Sequence, residues 1–295
     1  MKINIKQVDA FTKAPFGGNP AGVVTDANNL SDELKQKIAR EMNLSETAFV
    51  SNSKDADFKV QFFTPNSEVD LCGHATIATF SALYEEGKLD SNKNLFYQET
   101  KAGVLPVELI DTNQEKVFMM TQALPKLEEM KNDKAEIARL IGLNKEDLLD
   151  LPVMKVSTGI WWLVFGIKKI EKLSKVKPNL KLIEDFSREN NIVGIMPFCI
   201  ETLDSKYDYH SRCFAPLVGV NEDPVCGTGN GCIASYMVFN NLISFDQSID
   251  LIGEAGIEVH RPGYAYVSLE KSGNDITKVR VGGAAITILD GNLKI

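Results

Sequence analysis

The chain has no excess of basic charge. Thirty-two Lys and Arg stand against 40 Asp and Glu, a formal net charge of −8 over 295 residues. Binding to nucleic acid phosphates needs a concentrated basic face, so nucleic acid is excluded as the main partner. No long hydrophobic run is present either. The longest, IWWLVFGI at 160–167, is far short of a membrane span. The opening stretch MKINIKQVDAF alternates apolar and polar residues and contains no apolar signal core. Cysteine is sparse: five residues, an odd number, in no regular framework. That argues against a disulfide scaffold and for a reducing, cytoplasmic setting. Among three histidines and five cysteines there is no Cys-x-x-Cys and no His-x-x-x-His, so no metal is expected. Low-complexity tracts are missing too.

What is present reads as a globular protein, with 44% hydrophobic and 24% charged residues and a length that suggests two domains. Ile3 and Ile5 alternate with polar neighbours, as do Phe58, Val60 and Phe62, which predicts half-buried strands. Between them Ser31 is set to cap a helix with Asp32 and Glu33 in its first turn and Leu34, Ile38 and Met42 along one face. A buried helix is predicted over 75–86, stopped by Gly87, and further helices over 133–141 (stopped by Gly142) and 179–190. Strands are predicted around 104–110, 116–120, 193–201, 207–214, 257–260, 263–270 and 277–289. The polar stretch LPKLEEMKNDK at 124–134 is the best linker candidate.

One motif occurs twice. FTPNSEVDLCGHATIATFSAL at 63–83 and FAPLVGVNEDPVCGTGNGCIASYMV at 214–238 each begin with Phe-x-Pro. Each then passes acidic residues, reaches Cys-Gly and runs into an apolar stretch. The pattern predicts two duplicated half-structures with equivalent corners at Cys72-Gly73-His74 and Cys226-Gly227-Thr228. A glycine-led helix start presents unpaired backbone N–H groups and a positive dipole end. Two such corners facing each other would suit a small anion. The expected fold is α+β, two similar lobes each wrapping a sheet around a central helix. The first lobe would take 1–120 plus about 283–295, and the second 121–282.

Four ordered stretches, DAFTKAPFGGNPAGVV, NLSETAFV at 43–50, FTPNSEVDLCGHATIA and EDPVCGTGNG at 222–231, closely resemble the phenazine-biosynthesis PhzF-like family. The C-terminal VRVGGAAITILDGNLKI is also similar to that family's ending, so the resemblance covers essentially the whole chain. It implies the diaminopimelate epimerase-like fold, an active site between the lobes, a homodimer, and an isomerase needing neither metal nor organic cofactor. The family's type enzyme isomerises trans-2,3-dihydro-3-hydroxyanthranilate by moving a proton between carbons.

The resemblance places the acid/base carboxylate on Glu46 of Ser-Glu-Thr. Taken alone, Glu46 reads better as a solvent-facing residue at a loop end, and the resemblance reverses that. Its place beside the apolar strand Thr47-Ala48-Phe49-Val50 suits a group that takes and returns a proton. The match further gives His74 a role in binding or protonating substrate and makes Asp223 of Glu-Asp-Pro a partner in the site. It assigns substrate binding to Gly73, Gly227 and Thr228. Where the family often has Thr and Ser, this chain has Cys226 and Thr228. An alternative stays open. Cys72 and Cys226 resemble the epimerase branch of the fold, where two facing cysteines act as base and acid, and helix N-termini activate thiols. Cys226-Gly-Thr-Gly fits that branch; Cys72-Gly-His74-Ala75 departs from its Cys-Gly-Asn-Gly, and Glu-Asp-Pro belongs to the isomerase branch. A third possibility is a relative with a binding role only. The expected partner is a small anionic carboxylate, not nucleic acid or membrane. His210, His260, Cys199, Cys213, Cys232, Trp161 and Trp162 read as structural.

Overall fold

Two helices of this chain are apolar on every side, and such a helix is stable only when buried all round. From Ala75 to Leu83 in one, and from Gly229 to Met237 in the other, every residue is buried. A computed structural model, describing residues 2–112, 115–273 and 275–295, shows how the sheets accommodate them. The fold is α+β. The chain separates into two compact units, Met1–Thr121 with Gly282–Ile295, and Gln122–Val281.

The first unit contains β1 (Lys2–Ala10), β2 (Asn19–Val24), α1 (Asp32–Met42), β3 (Thr47–Ser51), β4 (Phe58–Phe63) and β5 (Glu68–Val69). It continues with α2 (Gly73–Glu85), β6 (Leu95–Thr100), β7 (Gly103–Asp111) and β8 (Lys116–Thr121). The second unit contains β9 (Lys126–Glu129), α3 (Lys134–Leu140), β10 (Met154–Ser157), β11 (Trp161–Gly166), α4 (Ile170–Ser174) and α5 (Leu180–Glu189). Then come β12 (Gly194–Cys199), β13 (Tyr209–Ser211), β14 (Cys213–Ala215), β15 (Val220–Asp223), α6 (Gly227–Phe239), β16 (Ser248–Ala255) and β17 (Gly263–Ser272). β18 (Asp275–Gly283) leads back to β19 (Ala285–Lys294), which pairs with β1.

The two units repeat one strand plan. In the first, the pairs β1–β2, β2–β3, β3–β4, β4–β6 and β6–β7 run antiparallel, parallel, antiparallel, parallel, antiparallel. In the second, β10–β11, β11–β12, β12–β13, β13–β16 and β16–β17 follow the same succession. The buried helix falls at the same step of each plan, α2 before β6 and α6 before β16. Within the first unit Phe80 of α2 has its ring 6.2 Å from those of Phe58, Phe96 and Phe118. Burying a side chain of that size contributes roughly 1.5–3 kcal/mol.

Local signals place most helix ends where the sequence puts them. The Ser31 hydroxyl accepts from Leu34 N–H at 3.3 Å, and Asp133 and Asn179 cap α3 and α5 in the same manner. Gly87 and Gly142 lie at φ +66° and +70°, the left-handed backbone expected of helix stops. Four readings are corrected. Residues 126–129 form strand β9 rather than a linker, paired with β10; the charged run KLEE suits an exposed sheet edge, which polar composition alone does not separate from a loop. Residues 257–260 form a turn, closed by Arg261 N–H on the Gly256 carbonyl at 2.9 Å. The strand at 207–214 is broken at Arg212, whose guanidinium is clamped inside the unit. The strand at 277–289 is broken at Ala284, whose carbonyl accepts from Phe11 and Thr12 N–H groups instead.

The second unit also buries a charged cluster. His210 on β13 is fully buried with Nδ1 3.0 Å from Glu254 of β16 and Nε2 3.1 Å from Glu258 of the 257–260 turn. Burial pulls the imidazolium down, but the two glutamates outweigh it and raise His210 from 6.5 to about 9. A cation held this way stabilises the fold fully below pH 6.5, and that contribution is lost as pH rises through about 9. The expected outcome is a fall of about 3 kcal/mol in unfolding free energy across that window. His210→Gln, less stable at neutral pH, should flatten this slope; urea denaturation at a series of pH values measures both.

Candidate active site

In the first unit the path to the site begins at Asn43, which caps α1 at φ +52° and turns the chain into β3. Ser45 and Glu46 occupy that turn, and the Glu46 carbonyl accepts from Gly22 N–H at 3.0 Å, fixing the backbone against β2. α2 arrives beside it. Cys72 is its N-cap in extended conformation, and its carbonyl accepts from Thr76 N–H and the Thr76 hydroxyl at 3.0 and 2.8 Å. Gly73 and His74 therefore lie in the first turn, where backbone N–H groups lack intrahelical partners.

His74 is the hub of this corner. Its Nδ1 lies 3.4 Å from Cys72 Sγ, and its Nε2 lies 3.3 Å from both Ser45 Oγ and Glu46 Oε2. Glu46 Oε2 is buried and, beside this close approach of the imidazole, has no hydrogen-bond partner among the described residues. Buried carboxylate oxygens without partners are rare in folded proteins. One ligand atom each from Glu46, Cys72 and His74 falls within 4.8 Å of the others, a set able to hold a metal ion.

The second unit builds the equivalent corner with other chemistry. Cys226 is the N-cap of α6, and α2 and α6 are each 13 residues long. Cys226 Sγ accepts from Gly229 N–H at 3.4 Å and lies 3.6 Å from Thr228 Oγ1. The Asn230 side chain ties the Cys226 carbonyl down at 2.7 Å. Asp223 ends β15 and accepts from Val225 N–H at 3.2 Å, bending the chain toward the helix. Glu222 beside it is gripped at two points by Arg212, 2.8 Å at each oxygen. Arg212 Nη1 also donates to the carbonyls of Leu173 and Val176, so every arm of this buried guanidinium is engaged. The pair acts as a strut beneath the Glu-Asp-Pro turn.

The sequence-derived residues thus gather in two groups: Glu46, Cys72, Gly73 and His74 at the start of α2, and Asp223, Cys226, Gly227 and Thr228 at the start of α6. Three residues at these corners escape sequence reasoning. Trp162, read as structural, donates its indole N–H to Thr228 Oγ1 at 3.1 Å, which leaves the threonine proton for another acceptor. Cys213, also read as structural, sits opposite Asp223 on paired strands β14 and β15, and ligand atoms of Cys213, Asp223 and Cys226 lie within 4.8 Å of one another. Ser45 touches His74. Only Ser45 carried a signal, as the neighbour of Glu46; the other two depend on strand pairing.

Residues 8–291 match the family model described as phenazine biosynthesis-like protein, PhzC-PhzF. An uncharacterized isomerase of Clostridium acetobutylicum is 38% identical, over 99% of this chain and 98% of its own. The crystal structure of the Bacillus anthracis phenazine biosynthesis protein of the PhzF family has a TM-score of 0.94 at 36% identity, covering 100% of both chains. A hydroxyproline epimerase from Agrobacterium vitis shares the fold, with a TM-score of 0.63 at 11% identity over 99% of this chain and 91% of that one.

Gly73 has nothing within 4 Å of where a Cβ would stand, so a methyl there meets open space at the mouth of the helix. Gly73→Ala should therefore leave the unfolding temperature unchanged or slightly higher, since Ala favours helix by up to about 1 kcal/mol. Loss of fold stability in this variant would show that the space beside Gly73 is not open.

Proposed function

The chain belongs to the phenazine biosynthesis-like PhzF family of isomerases, and from that premise we propose that it moves a proton between carbons of a small carboxylic acid, with Glu46 as acid and base. The observation that carries the reading is the buried Oε2 of Glu46, which has no hydrogen bond among the described residues and lies 3.3 Å from His74 Nε2. A carboxylate oxygen without a hydrogen bond is available to take a proton from carbon and, having become a carboxylic acid, to return it at a second carbon. His74, 3.3 Å away, is placed to steady either state of Glu46 or to hand a proton to substrate, with Ser45 orienting the ring. Neither step calls for a metal or an organic cofactor.

The substrate class follows from the helix starts. A carboxylate held on the first-turn N–H groups of α2 would gain roughly 0.3–2 kcal/mol from the dipole and acidify the adjoining C–H. In this reading Gly73, Gly227 and Thr228 bind substrate and Asp223 assists. The relative bearing trans-4-hydroxy-L-proline is consistent with a small carboxylic acid, though its likeness is of fold alone.

Glu46→Gln keeps the shape of the side chain but cannot cycle a proton. Turnover is expected to fall by roughly 100- to 10,000-fold with binding of substrate analogues nearly intact, and Cys72→Ala and Cys226→Ala should retain most activity. If the cysteine variants are dead while Glu46→Gln survives, the two-cysteine epimerase reading replaces this one.

A companion measurement addresses the anchor. Calorimetry with matched acid, amide and ester ligands should show the acid bound about tenfold more tightly, the equivalent of 1.4 kcal/mol. Equal binding of all three would remove the carboxylate from the model.

A further inference from the structure

All five cysteines lie outside any disulfide, yet two of them sit close enough to join. Cys213 on β14 is held opposite Asp223 on β15, and three residues later Cys226 opens α6. The two sulfurs and an Asp223 carboxylate oxygen all lie within 4.8 Å of one another. An S–S bond needs the two sulfurs at roughly 2 Å, and the β14–β15 pairing already holds the two segments side by side. Joining them gives up the contacts of Cys226 Sγ with Gly229 N–H and Thr228 Oγ1.

We propose that Cys226 is a peroxide-reactive site and that Cys213 resolves its oxidised form into a reversible disulfide. This assignment goes beyond the isomerase reading and does not depend on which residue acts as acid and base. The two thiols are unequal in the way that such a division needs. Cys226 keeps 7% of its surface exposed and stands at a helix N-terminus with its sulfur accepting a backbone N–H. Cys213 is 2% exposed, and burial, followed by its contact with Cys226, pushes its thiol well up, so it stays protonated until a neighbour takes the proton. The Asp223 carboxylate is in place to do so. Cys199 and Cys232 are fully buried, with thiols pushed up to about 11 and about 12 respectively, and Cys232 bonds the Val156 carbonyl at 3.4 Å.

The chemistry balances with hydrogen peroxide as oxidant. Cys226 sulfur attacks one peroxide oxygen, the O–O bond breaks, and a sulfenic acid and one water form. Cys213 then passes its proton to Asp223 and attacks the Cys226 sulfur. The S–O bond breaks, and the departing hydroxide recovers the proton from Asp223 as a second water. Two thiols are oxidised by two electrons in total, and one peroxide is reduced to two waters.

The test needs no substrate, so its outcome stands apart from that of the isomerase reading. The purified protein is treated with hydrogen peroxide, its remaining thiols are alkylated under denaturing conditions, and intact mass and peptide maps are recorded. Expected are a mass lower by two hydrogens, two fewer alkylatable thiols than the five of the untreated chain, and a cross-linked peptide pair holding Cys213 and Cys226. Dithiothreitol should restore all five. In Cys213→Ala the same dose should instead add oxygens to Cys226 that dithiothreitol does not remove. The circular dichroism melt of Cys213→Ala confirms that it is folded, and Cys213→Ser provides a second variant if it is not. The proposal is overturned if five thiols survive in the wild type, if the disulfide joins another pair or two chains, or if Cys226 over-oxidises equally fast with and without Cys213.

Discussion

Everything in this fold depends on hiding a helix that has no polar side. α2 and α6 lack the amphipathic stripe that would let them lie on a surface, so each must be enclosed by its own unit. Enclosure also requires the sheet pairings to continue around the helix, and the strands of both units pair in the same succession. The helix start is a place where the enclosed backbone has N–H groups without intrahelical partners. The position of the chemistry is therefore a by-product of the packing: the end of the buried helix is where polarity is left over.

The two corners share this frame and differ in what stands on it. At α2 the groups in contact are a carboxylate, an imidazole and a thiol, arranged around His74. At α6 they are two thiols, a carboxylate and a hydroxyl polarised by an indole, and the turn before them is braced by the buried Arg212–Glu222 pair. A buried pair of this kind adds little net stability against an apolar replacement, but it strongly penalises any arrangement that separates its members. The pair stands next to Asp223 in the chain, in the turn that leads to Cys226.

Sequence reasoning located what is encoded within a few residues. Ser31 and Gly87 announce helix ends because capping is a matter of three or four neighbouring positions. The two Cys-Gly corners are visible because the motif is repeated, and Glu46 because it belongs to Ser-Glu-Thr in a matching family. What stayed hidden depends on register between distant strands. Nothing near residue 210 says that Glu254 will lie across from it, and nothing near 213 says that Asp223 will. For the same reason β9 read as a linker: its charged side chains fit a sheet edge and a loop equally well. Strand β16 went unread because the alternation of SIDLIGEA is interrupted by adjacent Leu251 and Ile252.

The capping of α2 bears on how this scaffold can diverge. Helix N-caps are normally Ser, Thr, Asp or Asn, whose side chains bond the first turn; Cys72 makes no such bond and faces His74 instead. The helix holds because it is enclosed, so the residue that would ordinarily stabilise its start is released from that duty. Cysteine, threonine or serine could then be exchanged at this position, altering reactivity while the architecture stays the same. A position relieved of that duty in one unit, while Cys226 in the other still caps its helix through Gly229 N–H, is a natural point for new reactions to arise.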